Sequence, residues 1–258
     1  MGYADQSSWH GAQSTDHNIV LAEGAPEFQG GGNNYYTPPS PNGRFLGSKR
    51  EAMVSPHMDY VRGSHANMWM MQTADRSVIM IKDASMPYLI LVDHVNKDGG
   101  SHVYEEVFHS GGDAFGQGTL ASPMTVNVNG VLSKSMWLEP ANATVSPGVG
   151  AMNASTPYWR HRVRASGSDV TFLSIHGQHM PLSTTPLPNP LGNTKGAVLA
   201  FAAHSDTVLV RDQPGVMGDA TTNADAEFVW VRRDGQLMSG WGAGEALNVV
   251  NDGIALLT

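Results

Sequence analysis

Histidine is the residue type that first suggests chemistry in this chain, since eleven histidines occur in a sequence without cysteine. His102, Glu106 and His109 lie close together and are of types that bind zinc. Residues four apart in a strand share a face, so His102 and Glu106 do. His109 is seven residues from His102 and points the other way unless a bulge intervenes. The spacing therefore disfavours a self-contained metal site in this segment.

The second candidate group is basic. Arg160, Arg162 and Arg164 alternate with His161 and Val163, so a strand would place the three guanidinium groups on one face. This is the concentrated basic patch of a chain whose formal net charge is -8. Nucleic acid is therefore not an expected partner, and an anionic ligand would need this local patch. A solvated face balanced by nearby acidic residues is the alternative interpretation.

Three predicted strands position most of these candidates. Segments 77–81, 88–95 and 102–109 are apolar or alternating, and residues 96–100 (NKDGG) predict a turn, because paired glycines tolerate positive φ. We interpret the region 75–112 as a meander whose apolar face is covered by a second layer. The rest of the chain is expected to supply that layer.

The composition favours one fold class. Glycine (29) and proline (15) are frequent and only 15% of residues are charged, which is typical of many strands joined by turns. We predict an all-β, multi-stranded antiparallel β-sandwich, with a main domain at 1–181 and a small C-terminal sheet region packed on it at 182–258. The absence of cysteine excludes disulfides. No apolar run approaches membrane-spanning length, so no membrane partner is expected.

Two segments also carry a family pattern. The first is 14–24, STDHNIVLAEG; the second has Arg76 before a strand, Asp93 ending an apolar run, H-x-Y-E at 102–105 and a closing His109. In this order they resemble the β-domain of heparinase II/III-like polysaccharide lyases. The resemblance implies a super-sandwich and covers most of this chain. It covers only part of such a lyase, because nothing here would form the family's N-terminal α/α toroid.

The resemblance also implies roles for particular residues. His17 matches the histidine of the H-N motif, which is one ligand of a zinc ion in the family. The other ligands belong to a segment upstream of this chain, so zinc is expected only in a full-length parent. Asn18 is expected to shape the same corner and border the substrate. Tyr3 and His109 are the catalytic candidates of this chain.

The implied activity is β-elimination at a uronic acid in an acidic polysaccharide, either alginate-like or heparin/heparan-like. A base removes the proton beside the sugar carboxylate, and an acid protonates the leaving glycosidic oxygen. The family takes its main tyrosine from the toroid, so we expect the chain to be inactive alone. We interpret it as a fragment of a periplasmic or secreted bacterial parent. The chain itself opens without a basic-then-apolar leader.

Two other classes remain open. A non-catalytic carbohydrate-binding sandwich would use aromatic platforms, and a metal-dependent cupin would need two histidines two residues apart, which the spacing above disfavours. The long loop at 30–50 is suited to binding or mobility, and its two tyrosines would either stack on sugars or pin the loop. The aromatic candidates for a binding module are Tyr35, Tyr36, Trp137 and Trp159.

Overall fold

The computed structural model describes residues 20–23, 48–64, 66, 71–110, 114–128, 130–151, 157–235, 237–243, 249–251 and 254–257. These residues form 21 strands. The first eleven are β1 (Val20–Ala22), β2 (Ser48–Val54), β3 (Met58–Ser64), β4 (Thr73–Ile81), β5 (Tyr88–Asn96), β6 (His102–Ser110), β7 (Ala114–Phe115), β8 (Met124–Val128), β9 (Val131–Glu139), β10 (Thr144–Ala151) and β11 (Pro157–Gly167). The others are β12 (Val170–Gly177), β13 (Ser183–Pro186), β14 (Thr194–Ala200), β15 (Ser205–Arg211), β16 (Met217–Gly218), β17 (Thr222–Ala224), β18 (Phe228–Asp234), β19 (Leu237–Ala243), β20 (Val249–Asn251) and β21 (Ile254–Leu257).

The strands form four antiparallel sheets. Sheet A has the order β1-β6-β11-β10, and sheet B has the order β2-β3-β4-β5-β12-β9-β8-β7. Sheet C is β13-β14-β15-β18-β19, and sheet D is β16-β17-β20-β21. The predicted all-β sandwich is thereby confirmed. No helix in the described ranges has the length and apolar character needed to cross a membrane.

Three apolar layers hold the sheets in the stacking order A, B, C, D. Phe108 of sheet A meets Phe172 of sheet B in the first layer. Ile90 of sheet B and Phe228 of sheet C lie in the second, and Met217 belongs to the third, between sheets C and D. Sheet B is thus covered on both faces. This explains why β12 is buried along its whole length and β5 at all but three positions, instead of in alternation.

The predicted meander is wrong in its third strand. β4 and β5 pair as expected, but the other neighbour of β5 is β12, and β6 belongs to sheet A. Gly99 adopts a φ of 83° in the intervening turn, and its N–H donates to Asn96 Oδ1 at 2.8 Å. A glycine-rich turn fits a hairpin and a crossing between sheets equally well. The choice depends on β12, whose apolar residues occupy the place beside β5.

The two ends of the chain contribute different sheets. Sheets A and B come from residues 20–177, and sheets C and D from residues 183–257. Sheet C nevertheless shares an apolar layer with sheet B. Within sheet C, Arg232 donates two hydrogen bonds to Asp206, at 2.8 and 2.7 Å. Two contacts join this pair to sheet B: Arg232 donates to Asp83 between β4 and β5, and Tyr88 Oη of β5 donates to Asp206 at 2.6 Å. As a domain boundary, position 181/182 stays a prediction.

Candidate functional site

The outer face of sheet A brings together the basic strand and one catalytic candidate. The register of β6 and β11 pairs Arg164 with Glu105 and Arg160 with His109, and Arg162 lies between the two arginines. Directly opposed residues share a face, so Glu105 and Arg164, together with His109 and Arg162 at alternate positions of the same two strands, belong to the face turned away from sheet B. We call Arg160, Arg162 and Arg164 the arginine row. All three lie at alternate positions of β11.

Glu105 contacts two members of the arginine row. Its Oε1 lies 3.5 Å from Arg162 Nε, and its Oε2 accepts a hydrogen bond from Arg164 Nε. The Glu105 side chain is 3% exposed, whereas those of Arg162 and Arg164 are 33% and 45% exposed. A buried carboxylate therefore lies beneath two partly exposed guanidinium groups. The alternative interpretation of the basic strand, balance by a nearby acid, is correct for these two arginines, although one carboxylate serves both.

Small residues border the arginine row on its other side. β10 is the edge strand of sheet A, and its register places Thr144 opposite Arg164 and Ser146 opposite Arg162. Thr144 and Ser146 are both exposed. The row thus has an exposed, polar margin at Thr144 and Ser146 toward the sheet edge.

The remaining site predictions have different outcomes. His109 lies on the outer face of sheet A but is fully buried, an environment that fits a structural histidine better than one in contact with a polymer. The side chain of Arg160 lies outside the described part of the structure, although its backbone pairs with His109. Five predicted residues lie wholly outside the described ranges: Tyr3, His17, Asn18, Tyr35 and Tyr36.

Trp137 is not the exposed aromatic platform that a sugar-binding module would use. Its ring is buried between sheets A and B against Phe108, with ring centroids 5.8 Å apart, and its Nε1 donates to Glu106 Oε2 at 2.6 Å. For Trp159, the structure describes only backbone pairing, with Ser110 and with β10. The prediction of Trp137 as a platform failed because sheet A covers this face of sheet B. A strand exposes a face to solvent only if no other sheet covers that face.

A polar network lies in the apolar layer beneath this face. Arg76 of β4 makes a bidentate pair with Asp93 of β5, at 2.7 and 2.8 Å. Glu106 of β6 is fully buried nearby. Burial raises the pKa of the Glu106 carboxyl well above its usual range, and the adjacent Asp93 raises it further. The raised pKa favours the neutral form of Glu106, which accepts the hydrogen bond of Trp137.

Two buried histidines extend the polar groups of this layer. His176 is bonded through Nδ1 to Ser135 Oγ and through Nε2 to Ser174 Oγ, both at 2.8 Å. Burial lowers the pKa of His176 to about 3, and Arg76 contributes in the same direction. Burial likewise lowers the pKa of His161 to about 4. Both imidazoles are neutral at physiological pH, which is typical of a structural core histidine.

The described residues do not gather a metal site. Among them, no three histidine, aspartate, glutamate or cysteine side chains are placed to hold one ion. His102 is bonded to Asp98 at 2.7 Å on the surface, while Glu106 is in the core, so the local cluster considered from sequence is dispersed. We therefore derive no chemical step through zinc.

Sequence reasoning missed Glu105 as a functional residue. The H-x-Y-E segment contains Glu105, but its sequence does not show which residues Glu105 contacts. That contact depends on the register between β6 and β11, and β11 begins more than fifty positions after Glu105. A usable signal existed. A carboxylate in a strand that packs against a second layer needs a cation or hydrogen-bond donors if it is buried, and the sequence offers one concentrated set of arginines.

The architecture is an all-β sandwich with a fold like that of a polysaccharide lyase. Among solved structures, it is similar to the heparan sulfate lyase HepC from Pedobacter heparinus and to a mutant of that enzyme. In both comparisons the TM-score is 0.55 and the sequence identity is 11%. The match covers 79% of this chain and 31% of the lyase, so the chain corresponds to less than a third of that enzyme. No protein-family model matches the chain, and no curated protein matches it in sequence.

Proposed function

We propose that this chain is the β-sandwich part of a lyase that cleaves a uronic-acid-containing polysaccharide by β-elimination. The observation that carries the proposal is the arginine row on a partly exposed sheet face of a lyase-type sandwich. In a chain of net charge -8, such a row is a local site for a polyanion. The similarity to a heparan sulfate lyase supports the fold on which this proposal depends.

The arginine row would contribute substrate binding and charge neutralisation. Removal of the proton beside a sugar carboxylate leaves negative charge on that carboxylate side, and guanidinium donors stabilise it. Arg162 and Arg164 are suited to this task, because guanidinium groups bind carboxylates in a bidentate manner. Tyr3 is the proton-transfer candidate that this chain would add, while the burial of His109 favours a structural role for that residue.

The complete catalytic site would require further protein. We propose that an α/α toroid supplies the opposite wall of the cleft and its main tyrosine, and that His17 is one of several zinc ligands in the assembled enzyme. β-Elimination needs a base, an acid and a neutralising group held together. A zinc site needs three or four protein ligands. The chain alone is accordingly expected to bind polymer without cleaving it and without holding zinc tightly.

A non-catalytic carbohydrate-binding module is the second candidate. One observation favours it: the arginine row lies entirely within this chain, so polyanion binding needs no additional domain. In that case the arginine row would contribute to binding, while Trp137 is buried.

Calorimetric binding to alginate, polyglucuronate and heparan sulfate oligosaccharides tests the proposed function. Changing the three arginines of the row to Ala should weaken binding by at least about tenfold, because the loss of even one charge-assisted contact costs roughly 1.5–3 kcal/mol. The control removes three cations from sheets B and C instead: Arg50, Lys134 and Lys195. Equal losses in both variants would reduce the effect to net charge and refute a local site.

Ultraviolet absorbance of unsaturated uronate products and metal analysis by mass spectrometry complete the test. Polymer binding without unsaturated product is expected for both the lyase part and the binding module. Formation of unsaturated product once an α/α toroid is supplied would favour the lyase. Steady product formation by the chain alone, abolished by His17→Ala, would contradict the assignment of the missing groups to other protein.

A further inference from the structure

A cleft opens at one end of the layer between sheets B and C. Its open space is about 340 Å³, which is at the lower end of the range of ligand pockets, roughly 300–1,000 Å³. The arginine row lies on the outer face of sheet A, so sheets A and B separate it from the cleft, and stacked sheets are about 10 Å apart. Six polar residues line the cleft: Arg62, Asp75, Ser77, His94, Arg211 and Glu227.

The charged groups of the cleft are paired with one another. Arg62 donates to Asp75 through Nη2 at 2.5 Å and contacts Glu227 through Nη1 at 3.1 Å. Arg211 contacts the other oxygen of Glu227, and its Nη1 lies 3.4 Å from Asp225. Two guanidinium groups thus face three carboxylates, which gives this set a charge of -1. An oxyanion would meet no uncompensated cation in this set, and a metal ion would have to displace an arginine from each carboxylate.

Hydrogen-bonding atoms remain for a neutral ligand. His94 contacts Asp169 through Nε2 at 2.5 Å, and Asp75 accepts from Arg62 through Oδ2. Among the described residues, none bonds to His94 Nδ1 or to Asp75 Oδ1. The Ser77 hydroxyl adds a group that can both donate and accept. The cleft therefore offers both donors and acceptors, as hydroxyl groups of a ligand require.

The remaining lining of the cleft is apolar. It consists of Val92, Val210 and Phe228, which are all buried in the layer between sheets B and C. A pyranose ring has a matching composition, with hydroxyl groups at its edge and C–H bonds on its faces. The apolar side chains would pack against a ring face while the polar residues bond to the hydroxyl groups.

We propose that the cleft between sheets B and C binds one neutral pyranose unit, at a carbohydrate site separate from the arginine row. The paired charges select against a charged sugar, and the volume admits a single ring. The inference goes beyond the proposed function, since it uses no residue of the arginine row and holds for a lyase part and for a binding module alike. The sugar is either free or the end of a chain, because both present the same ring.

NMR titration of the isotopically labelled chain tests the site directly. Among the methyl glycosides of glucose, galactose and mannose, at least one should bind with a Kd of about 1–10 mM, as a ligand of this size allows. The shifted amides should include those of Ser77, His94 and Val210. Methyl β-cellobioside separates the two sources of the sugar: binding at least as tight as that of the single glucoside identifies a chain end, and weaker binding identifies a free sugar. Amide shifts confined to other parts of the chain overturn the inference.

Charged analogues test the chemical class of the ligand. The anionic glycuronide and the cationic 2-amino analogue should bind at least about threefold more weakly than the neutral glycoside, because a charge brought into the cleft has no free partner. Added salt should leave the binding of the neutral glycoside unchanged. Tighter binding of either charged analogue overturns the inference.

Ser77→Leu and Ser133→Leu form a matched pair of variants. Both serines are half-buried strand residues of sheet B and, of the two, Ser77 lines the cleft. Ser77→Leu fills the space and should weaken binding of the neutral glycoside by at least about tenfold, whereas Ser133→Leu should bind as the unaltered chain does. Unchanged binding by a folded Ser77→Leu protein overturns the inference. If that protein does not fold, the amide shifts of the unaltered chain decide.

The variant with all three arginines of the row changed to Ala separates this inference from the proposed function. It should lose affinity for polyanions and keep its affinity for the neutral glycoside, and a loss of both would overturn the separate site. Absence of polyanion binding by the unaltered chain would refute the proposed function. Absence of saturable binding by all three neutral glycosides would instead overturn the assignment of the cleft.

Discussion

His176→Gln tests the buried polar network through its dependence on pH. Burial lowers the pKa of His176 to about 3 from an ordinary value of 6.5. A base with a lowered folded-state pKa contributes stability that is present above pH 6.5 and is lost as pH falls toward 3. In the unaltered protein this loss reaches about 1.4 kcal/mol per pH unit within that window. Glutamine does not titrate, so the variant lacks this contribution.

The expected magnitude follows from those two pKa values. Between pH 7 and pH 5 the unfolded chain takes up most of a proton at His176 and the folded chain takes up almost none. The difference in unfolding free energy between the two proteins should therefore change by about 2 kcal/mol over that interval. Urea unfolding at pH 7, 6 and 5 provides the assay, because each comparison is made at one pH and other titrating groups, Glu106 and His161 included, cancel.

Ser135→Ala is the matched control. It removes the hydroxyl that is bonded to His176 Nδ1 but keeps the imidazole buried. Its cost, about 1 kcal/mol, should be the same at all three pH values, since burial and not this hydrogen bond is what lowers the pKa of His176. A His176→Gln difference that stays constant from pH 7 to pH 5 would show that the network is hydrated or open, and would refute this account.

Three further substitutions test packing and the contact between sheets B and C. Phe172→Ala empties a fully buried position and should lower the unfolding free energy by about 3–5 kcal/mol in urea titration. Arg232→Ala leaves the buried Asp206 without its bidentate partner and should cost about 3–5 kcal/mol, with Arg232→Lys losing less. Gly196→Ala should strongly lower the unfolding free energy, because the φ of Gly196 is 144° and the new methyl would lie 1.9 Å from a carbonyl oxygen of β15. Gly192 lies in open space, so Gly192→Ala should change the unfolding free energy by no more than about 0.5 kcal/mol.

Strand positions could be predicted from sequence because strand periodicity and turn residues are local signals. The segments predicted at 77–81, 88–95 and 102–109 lie within β4, β5 and β6. Sheet membership could not be predicted in the same way. The second partner of β5 is β12, and its first residue, Val170, pairs with Val95, which lies 75 positions earlier. The local sequence pattern does not encode such a distant contact.

The candidate site divides along the same line. The arginine row was predictable, because alternation within one strand places Arg160, Arg162 and Arg164 on one face. The partnership with Glu105 was not, since it depends on which strand lies beside β11. The burial of Trp137 could not be predicted for a related reason. Whether a strand residue is exposed depends on the sheet that packs against its face, and the stacking of the four sheets depends on the whole chain.

Glu105 and Glu106 are neighbours on β6, and the same change at the two positions should have opposite effects. Glu106 faces the core beside Asp93, and burial raises the pKa of its carboxyl well above the usual range, with Asp93 acting in the same direction. Stability from such a group is full below pH 4.5 and declines as pH rises. Glu106→Gln keeps an oxygen for Trp137 Nε1 and carries no proton to lose.

Relative to the unaltered protein, Glu106→Gln should therefore gain unfolding free energy as pH rises from 5 to 7, measured by urea titration at each pH. Glu105→Gln removes the anchor of two guanidinium groups and should be destabilising at both pH values. If the effect of Glu106→Gln is independent of pH, the carboxyl is ionised in the folded state. Glu106 would then share the charged character of Glu105, and the division of β6 into a neutral inner face and an ion-paired outer face would be wrong.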